Sequence, residues 1–438
     1  MKRFWTTLRN IFSIEDLRMK ILNTLGLLIM FRLGSYIVLP GVDPERLTGN
    51  DGGGFFDLIN TFLGGAWNRA SIFALGIMPY ISASIVVQLL TVAWPNFAKL
   101  QKEGESGRKK LNQFTRVLTI FITAAQSYAY LRTTINAEAI LTPGIWSFTI
   151  PAIVIIVAGT MFCMWLGERI TDKGIGNGIS MLIMIGIVSR FPLAIFQEMD
   201  SKGMAGALIF IIEILVLFRV VVGVIALTQA TRRIPVQYAK QVVGNKLYGG
   251  KRDFIPLKLN SAGVMPIIFA QALMFIPPMV ANVFRDSDVA AYIGSTIGDF
   301  TSWQYNLLFA VLILLFTFFY TAITVPSNDM ADNLKRSGGF IPGIKPGKST
   351  AEFIDTVLSR ITLPGALFLA AIAIMPAFAV RAGITQNFAQ FYGGTSLLIM
   401  VGVILDTLQQ IESHLLMRHY EGMMKSGRVK GRSQFAAA

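Results

Sequence analysis

The chain has 438 residues, of which 53% are hydrophobic and only 15% are charged, and its formal net charge is +14. A soluble domain of ordinary composition carries about 25% charged residues, so a typical soluble protein of two or three domains is excluded. A helix of about 20 apolar residues crosses a hydrocarbon core of roughly 30 Å, so long uncharged stretches predict membrane spans. These stretches are Ala70–Ala98, Ala139–Gly167, Leu259–Phe284, Phe300–Asn328, Ile361–Val380 and Ala382–Leu405.

The hydropathy pattern predicts an all-α polytopic membrane protein with about ten transmembrane helices. The predicted spans cover residues 20–40, 70–93, 114–132, 149–168, 177–196, 206–230, 261–284, 303–326, 361–380 and 395–415. Most of the 39 Lys and Arg residues lie in the N-terminal segment, the even-numbered loops and the C-terminal tail. Because basic residues are retained on the cytoplasmic side, we predict that both termini are cytoplasmic.

Ahead of the second span lies an apolar segment that is too short to cross a membrane. Glycines at 52–54 and 64–65 flank Phe55–Leu63, whose apolar residues recur with helical spacing. About nine helical residues reach only roughly 14 Å, and the flanking glycines make the segment a movable unit. It is either a re-entrant stopper in a pore mouth or an interfacial loop helix. Its apolar side chains are Phe55, Phe56, Leu58, Ile59, Phe62 and Leu63.

The motif Gly-x-Met-Pro-x-Ile occurs twice, at Gly76–Ile81 in the second span and at Gly263–Ile268 in the seventh. The second span enters from outside and the seventh from inside, so the motif predicts two inverted five-helix halves. Proline within a helix removes a hydrogen bond, and we therefore expect both helices to be loosened there. Two unrelated proline-kinked helices are the alternative.

The chain therefore divides into predicted regions. They are a cytosolic N-terminal segment (1–19), an N-terminal half (20–196, with the short apolar segment at 52–65), a C-terminal half (197–415, with cytosolic loops 231–259 and 327–360) and a cytosolic tail (416–438).

Further motifs follow one another along the chain. They are Phe31–Ser35 with Pro40-Gly41, Ala70–Ile81, Lys102–Arg108, Gly174–Gly178, Arg232–Lys240, Ala331–Lys335 and Gly393–Leu398. Together they resemble the SecY family, the channel subunits of bacterial protein translocases, over essentially the whole chain. The resemblance implies an hourglass channel in the bacterial plasma (inner) membrane. It would pass unfolded secretory proteins and release hydrophobic segments into lipid through a lateral gate.

The resemblance also implies which residues form the pore. The short apolar segment takes the position of the family's plug, and six apolar side chains form the constriction. In this sequence the constriction residues are all isoleucine, namely Ile77, Ile81, Ile179, Ile183, Ile268 and Ile399. Branched side chains are stiff at χ1, and an apolar constriction tends to dewet and so excludes ions. Ordinary helix or lipid packing is the alternative for each isoleucine.

In this family the lateral gate lies between spans two and three and spans seven and eight. Polar side chains in or beside those spans could bond between helices, or to their own backbone. They are Ser82, Gln88, Gln126, Asn260 and Gln271.

The two large cytosolic loops are expected to dock the ribosome and the motor ATPase SecA. Basic side chains suit ribosomal RNA phosphate. The candidates are Arg232, Arg233, Lys240, Lys251, Arg252, Lys335 and Lys345. Lys345 stands where the family commonly has arginine, and lysine lacks the guanidinium fork. The alternative is that these charges only set topology. Small SecE and SecG subunits, signal peptides and nascent chains are the other implied partners.

The sequence carries no Walker-type phosphate loop, and we recognise no Ser-His pair, Asp dyad or metal motif within the spans. We therefore expect no enzymatic activity, no cofactor and no metal site. The competing interpretation is a secondary transporter with inverted repeats, which would need paired carboxylates or polar clusters at the repeat interface. Glu213 and Arg219 are charges within the sixth span, and their spacing places them on different faces.

Overall fold

The computed structural model describes residues 14–47, 60–203, 206–238, 241–243, 246–248, 252–274, 277, 296 and 299–425. These residues fall into two compact units. The first lies within Met1–Asp51, Ile59–Arg190 and Gly402–Ala438, and the second within Phe191–Val401. The boundaries of the predicted halves stay a prediction.

The described residues are mainly helical. The helices are α1 (Glu15–Gly34), α2 (Met78–Ala93), α3 (Pro95–Lys102), α4 (Glu105–Thr134), α5 (Ile150–Lys173), α6 (Gly178–Lys202), α7 (Ala207–Gln229), α8 (Met265–Met274), α9 (Trp303–Thr324), α10 (Ser327–Arg336), α11 (Lys348–Arg381), α12 (Gln386–Ala389) and α13 (Gly394–Lys425). A 3-10 turn at Ala137–Ala139 and a π-helix at Ile145–Thr149 precede α5. Each predicted span overlaps one of these helices.

Among the described helices, 6 are long and apolar enough to cross a membrane, and 7 if the bent pair α2 and α3 counts as one span. The six are α5, α6, α7, α9, α11 and α13, and the axes of α2 and α3 differ by 105°. Helices α1 and α4 are less apolar, and the described part of α8 is short. The all-α polytopic fold is confirmed.

The repeated motif begins its two helices. Met78 and Met265 are the first helical residues, and a proline follows each at the second position. Proline is well tolerated there because its missing N–H would have no helical acceptor. Gly76 and Gly263 precede them with φ of 52° and 64°, which glycine adopts readily. The expectation of prolines inside two continuous helices is therefore wrong, because non-helical chain precedes both motifs.

In the first unit, a non-helical stretch after α1 pairs with the stretch before α2. The amide of Leu39 donates to the carbonyl of Ala70 at 2.8 Å, and the amide of Ile72 donates to that of Ile37 at 2.9 Å. These bonds satisfy backbone groups that an apolar environment would leave unpaired. The described stretches 35–42 and 70–72 of this connection are thereby held together.

Helices α2, α4 and α5 pack side by side in the first unit. Helix α4 presents a row of buried small polar side chains, and each hydroxyl donates to the carbonyl one turn earlier. These residues are Thr115, Thr119, Thr123 and Ser127. Small residues let helices approach closely in lipid. Arg116 of α4 also donates to both carboxylate oxygens of Glu168 on α5, at 2.8 and 2.7 Å.

The second unit contains a small antiparallel sheet. Strand β1 (Thr231–Tyr238) lies between β4 (Arg252–Lys258) and β5 (Gly339–Phe340), while β2 (Gln241–Val243) pairs with β3 (Lys246–Tyr248). Arg232 pairs with Leu257 and Gln237 with Phe340. The sheet covers a hydrophobic core formed by Ile234, Val236, Leu257, Leu334, Ile341 and Ile354. The two predicted cytosolic loops therefore form one folded body.

A close helix contact in the first unit generates a stability prediction. A Cβ on Gly34 would overlap the ring of Phe73, whereas a Cβ on Gly26 of the same helix meets nothing within 4 Å. We expect Gly34→Val to destabilise the protein by about 1–3 kcal/mol through overpacking. Thermal unfolding in detergent measures this, with Gly26→Val as the matched control. Equal melting temperatures for the two variants would contradict the contact.

Candidate functional site

The described part of the short apolar segment lies against α2 and α6 in the first unit. Phe55, Phe56, Leu58 and Ile59 lie outside the described residues. The two that are described, Phe62 and Leu63, are 5% and 4% exposed. The C-terminal end of the segment is therefore packed into the protein.

Two glycines allow this close packing. A Cβ on Gly76 would lie 2.5 Å from Cδ2 of Leu63, and a Cβ on Gly186 of α6 would overlap the carbonyl oxygen of Phe62. Any larger residue at either position would have to displace the segment. Gly76 directly precedes Ile77, so Leu63 packs immediately beside the start of α2.

Two arginines hold the same end of the segment through one carbonyl group. Nη2 of Arg69 donates to the carbonyl oxygen of Gly64 at 2.7 Å, and Nη1 of Arg32 donates to it at 3.3 Å. Both guanidinium groups also lie over the ring of Tyr36, with Cζ 4.2 and 5.3 Å from its centroid. Hydrogen bonds from charged donors are stronger than neutral ones. We call Phe62–Gly64 with Gly76, Gly186, Arg32 and Arg69 the segment seat.

Sequence reasoning did not find the two arginines. The available signal was that Arg32 falls inside the first predicted span and Arg69 lies just after the paired glycines. An intramembrane charge is a functional candidate by default. The acceptor of the two arginines could not be identified from the sequence, because every residue has a backbone carbonyl.

The proposed constriction residues lie on four helices. Ile77 caps α2 and Ile81 lies one turn later, while Ile179 and Ile183 share a face of α6. Ile179 also packs against Gly167 of α5. The other two are Ile268 on α8 and Ile399 on α13 in the second unit. Four of the six are less than 9% exposed, namely Ile77, Ile81, Ile183 and Ile399. Their role as a ring stays a prediction.

The proposed lateral-gate residues behave differently from one another. The hydroxyl of Ser82 donates to the carbonyl of Met78, so it bonds to its own helix. Gln88 and Gln126 are half-buried. In the second unit Asn260 and Gln271 are each 7% exposed, and Gln271 lines a cavity of about 30 Å³. The gate assignment stays a prediction for all five.

The folded body of the second unit carries the proposed docking residues that the structure describes. Arg232 and Arg233 are exposed on β1, Lys335 is exposed near the end of α10, and Lys345 is exposed in the loop before α11. Lys240 and Lys251 lie outside the described residues, as does the side chain of Arg252. The described basic groups are therefore displayed on a packed base.

The two charges in the sixth span have separate environments. Glu213 is 7% exposed and lies 3.0 Å from the ammonium group of Lys202. Arg219 is exposed, and none of the described residues pairs with it. Glu213 therefore pairs with Lys202, which agrees with the placement of Glu213 and Arg219 on different faces of the span.

Comparisons with known proteins match the chain over most of its length. The SecY family model matches residues 71–408. "Protein translocase subunit SecY" of Streptomyces coelicolor is 42% identical, covering 96% of this chain and 100% of the relative. The protein of the same description from Halalkalibacterium halodurans is 45% identical, covering 96% and 99%.

Solved structures match the fold at lower identity. "The structure of a protein conducting channel" aligns with a TM-score of 0.65 at 16% identity, covering 90% of this chain and 92% of that one. A structure concerning "the plug domain of the SecY protein" aligns at 0.62 and 17% identity, with the same coverage. "Sec61 in the Canine ribosome-channel complex from the endoplasmic reticulum" aligns with a TM-score of 0.60 at 16% identity. The alignment covers 90% of this chain and 92% of that one.

The segment seat generates a labelling prediction. The chain has 1 cysteine, Cys163, which is buried, so a Cys163→Ala background permits single-thiol probes. We expect a Leu63→Cys probe to react slowly with a water-soluble maleimide in the otherwise unchanged chain. Adding Gly186→Val should speed its labelling, because the new side chain displaces the carbonyl of Phe62.

The matched control is Gly223→Val, whose Cβ meets nothing within 4 Å. It should leave the labelling rate at position 63 unchanged. Fast labelling of Leu63→Cys without any glycine substitution would contradict the packing of the segment.

Proposed function

Since the chain belongs to the SecY family and is the protein-conducting channel subunit of a translocase, we propose that it passes unfolded secretory proteins across the membrane. Hydrophobic segments would leave through a lateral gate into lipid. The main support is sequence similarity to proteins described as translocase subunits, which extends over nearly the whole length of both chains. The chain is a multi-pass membrane protein and not an enzyme.

In this proposal the short apolar segment is the plug of the closed channel. Its support is the segment seat, where Phe62 and Leu63 are buried and Gly64 is held by two arginines. The contacts involve one turn of chain and one carbonyl. Such a plug can leave its seat without unfolding a helix, and the glycines at both ends permit the movement.

The six isoleucines would form the seal that a translocating chain passes. An apolar constriction offers an ion no ligand and tends to dewet, yet it makes no sequence-specific contact with a polypeptide. The burial of Ile77, Ile81, Ile183 and Ile399 supports an inward-facing role over a lipid-facing one.

The sheet and its core would be the cytosolic docking body for the ribosome and SecA. A structure with a similar fold is that of a canine ribosome-channel complex, and the exposed Arg232, Arg233, Lys335 and Lys345 suit phosphate or acidic partners. The charge distribution along the chain supports a cytoplasmic location for both termini. We further propose residence in the bacterial inner membrane with SecE- and SecG-like small subunits, which should co-purify.

One feature of the structure favours the alternative interpretation as a secondary transporter. Glu198 and Glu213 are paired buried carboxylates, the type of group that ion-coupled transporters use. However, the ammonium of Lys202 lies against both, at 3.4 and 3.0 Å. An ion would have to displace this lysine, so the pair suits a structural role better than ion coupling.

The proposed constriction can be tested electrically in planar bilayers. Replacing Ile81 or Ile399 with asparagine adds hydrogen-bonding groups to an apolar ring and should hydrate it. We expect resting ion leakage to rise several-fold, while Ile→Leu at the same positions should change it little. Resting currents that are unchanged by both asparagine variants would show that the ring assignment is wrong.

The proposed plug can be tested in the same bilayers. Deletion of Phe55–Leu63 should leave intermittent channel openings in the resting current.

The docking body can be tested by ribosome binding across a salt series. Arg232→Ala with Arg233→Ala should weaken binding and lower the slope of log affinity against log salt by about 1 to 2. Lys109→Ala with Lys110→Ala removes the same charge from another predicted cytosolic loop and is the matched control. An equal loss in both double variants would indicate that only net charge matters.

A further inference from the structure

One lysine in the second unit lies between two buried carboxylates. Lys202 is the last residue of α6, and its Nζ lies 3.4 Å from Oε1 of Glu198 and 3.0 Å from Oε1 of Glu213 on α7. Glu198 is 0% exposed and Glu213 is 7% exposed. Buried carboxylates are costly unless they are paired and hydrogen-bonded. Both therefore depend on the ammonium group.

Two of these side chains, Lys202 and Glu198, also hold the loop between α11 and α13. Nζ of Lys202 donates to the carbonyl oxygen of Gly383 at 2.9 Å. Oε2 of Glu198 accepts hydrogen bonds from the amide of Thr385, at 2.8 Å, and from its hydroxyl. An ammonium group has three donors, and here three acceptors surround it. We call Gly383–Tyr392 the anchored loop.

Further contacts fix the rest of the anchored loop on the same two helices. The side-chain amide of Asn387 donates to Oε1 of Gln197 at 2.9 Å, and the hydroxyl of Tyr392 donates to the backbone carbonyl of Glu213 at 2.6 Å. The ring of Phe391 meets that of Phe191 edge-on at 5.0 Å. The loop is therefore held at its beginning by charges and at its end by a tyrosine and an aromatic pair.

The anchored loop leads directly into the helix that carries Ile399. Gly393 follows Tyr392, and α13 begins at Gly394. A Cβ on Gly393 would overlap the carbonyl oxygen of Ile372 on α11, so the start of α13 has little room to shift. Ile399, 4% exposed, lies in the second turn of this helix, shortly after the loop ends.

We propose that Glu198, Lys202 and Glu213 are positioning residues that fix the anchored loop and thereby the place of Ile399 in the constriction. This inference rests on the proposed function, because it concerns a residue assigned to the ring. Lys202 is the decisive member. Without it, the bond to Gly383 is lost, and two buried carboxylates are left with no cation among the described residues, an arrangement that their mutual repulsion disfavours.

The test uses the full-length channel with its small subunits. In Lys202→Met, hydrogen exchange at the amides of the anchored loop should accelerate at least several-fold, and resting ion leakage in bilayers should rise. Lys202→Arg keeps the positive charge and should hold both readouts near those of the parent. Asp200→Asn removes an exposed carboxylate from the same helix and should change neither.

A second variant covers the case in which Lys202→Met does not fold. Lys202→Met combined with Glu198→Gln and Glu213→Gln buries no net charge, so it relieves the repulsion. It still lacks the bond to Gly383. We expect faster exchange in the anchored loop here as well, with a smaller rise in leakage.

Each outcome decides the inference. Unchanged exchange in Lys202→Met, and in the triple variant that contains it, would overturn the anchor whatever the current. Faster exchange with a parental resting current, in bilayers where Ile399→Asn leaks, would overturn the positioning role and leave the channel function intact. If Ile399→Asn itself did not leak, the proposed constriction would be lost and the inference with it.

Discussion

An unpaired backbone amide or carbonyl costs several kcal/mol in a hydrocarbon environment, and this cost governs each place where the chain leaves a helix. The stretch after α1 avoids this cost by pairing its backbone with the stretch around Ala70. The carbonyl of Gly64 accepts hydrogen bonds from two arginines, and the carbonyl of Gly383 accepts one from a lysine. At Gly64 and Gly383, a charged side chain therefore supplies the donor that the backbone carbonyl needs.

This use of charge connects the segment seat to the mechanism. Two guanidinium groups on one carbonyl hold a short segment strongly enough to keep Phe62 and Leu63 buried. They do so without extending any helix or sheet, so releasing the segment breaks few bonds. The proposed plug of a channel that stays sealed at rest and opens to a polypeptide would need an attachment of this kind. The tightly packed Gly76 and Gly186 determine where it fits.

The two predicted cytosolic loops follow a different rule, since water can satisfy the backbone outside a membrane. There the two loops are ordered by burial of apolar side chains beneath a three-stranded sheet. Because β1 pairs with strands from both loops, Arg232 and Lys335 belong to one folded body. Basic groups on a packed base lose less conformational entropy on binding than the same groups on free loops.

The sequence by itself determined the membrane class and the family, and each predicted span overlaps a described helix, because apolar runs and ordered motifs are local. It also located the repeated Gly-x-Met-Pro-x-Ile motif, but its prolines begin helices where kinks were expected. Where a helix begins depends on how the chain before it is paired, which a local pattern does not record. The partners of Arg32, Lys202 and Glu198 were decided only by tertiary structure. Gly64 and Arg32 are 32 residues apart, and Thr385 and Glu198 are 187 apart. A backbone carbonyl or amide carries no residue type that a sequence pattern could identify.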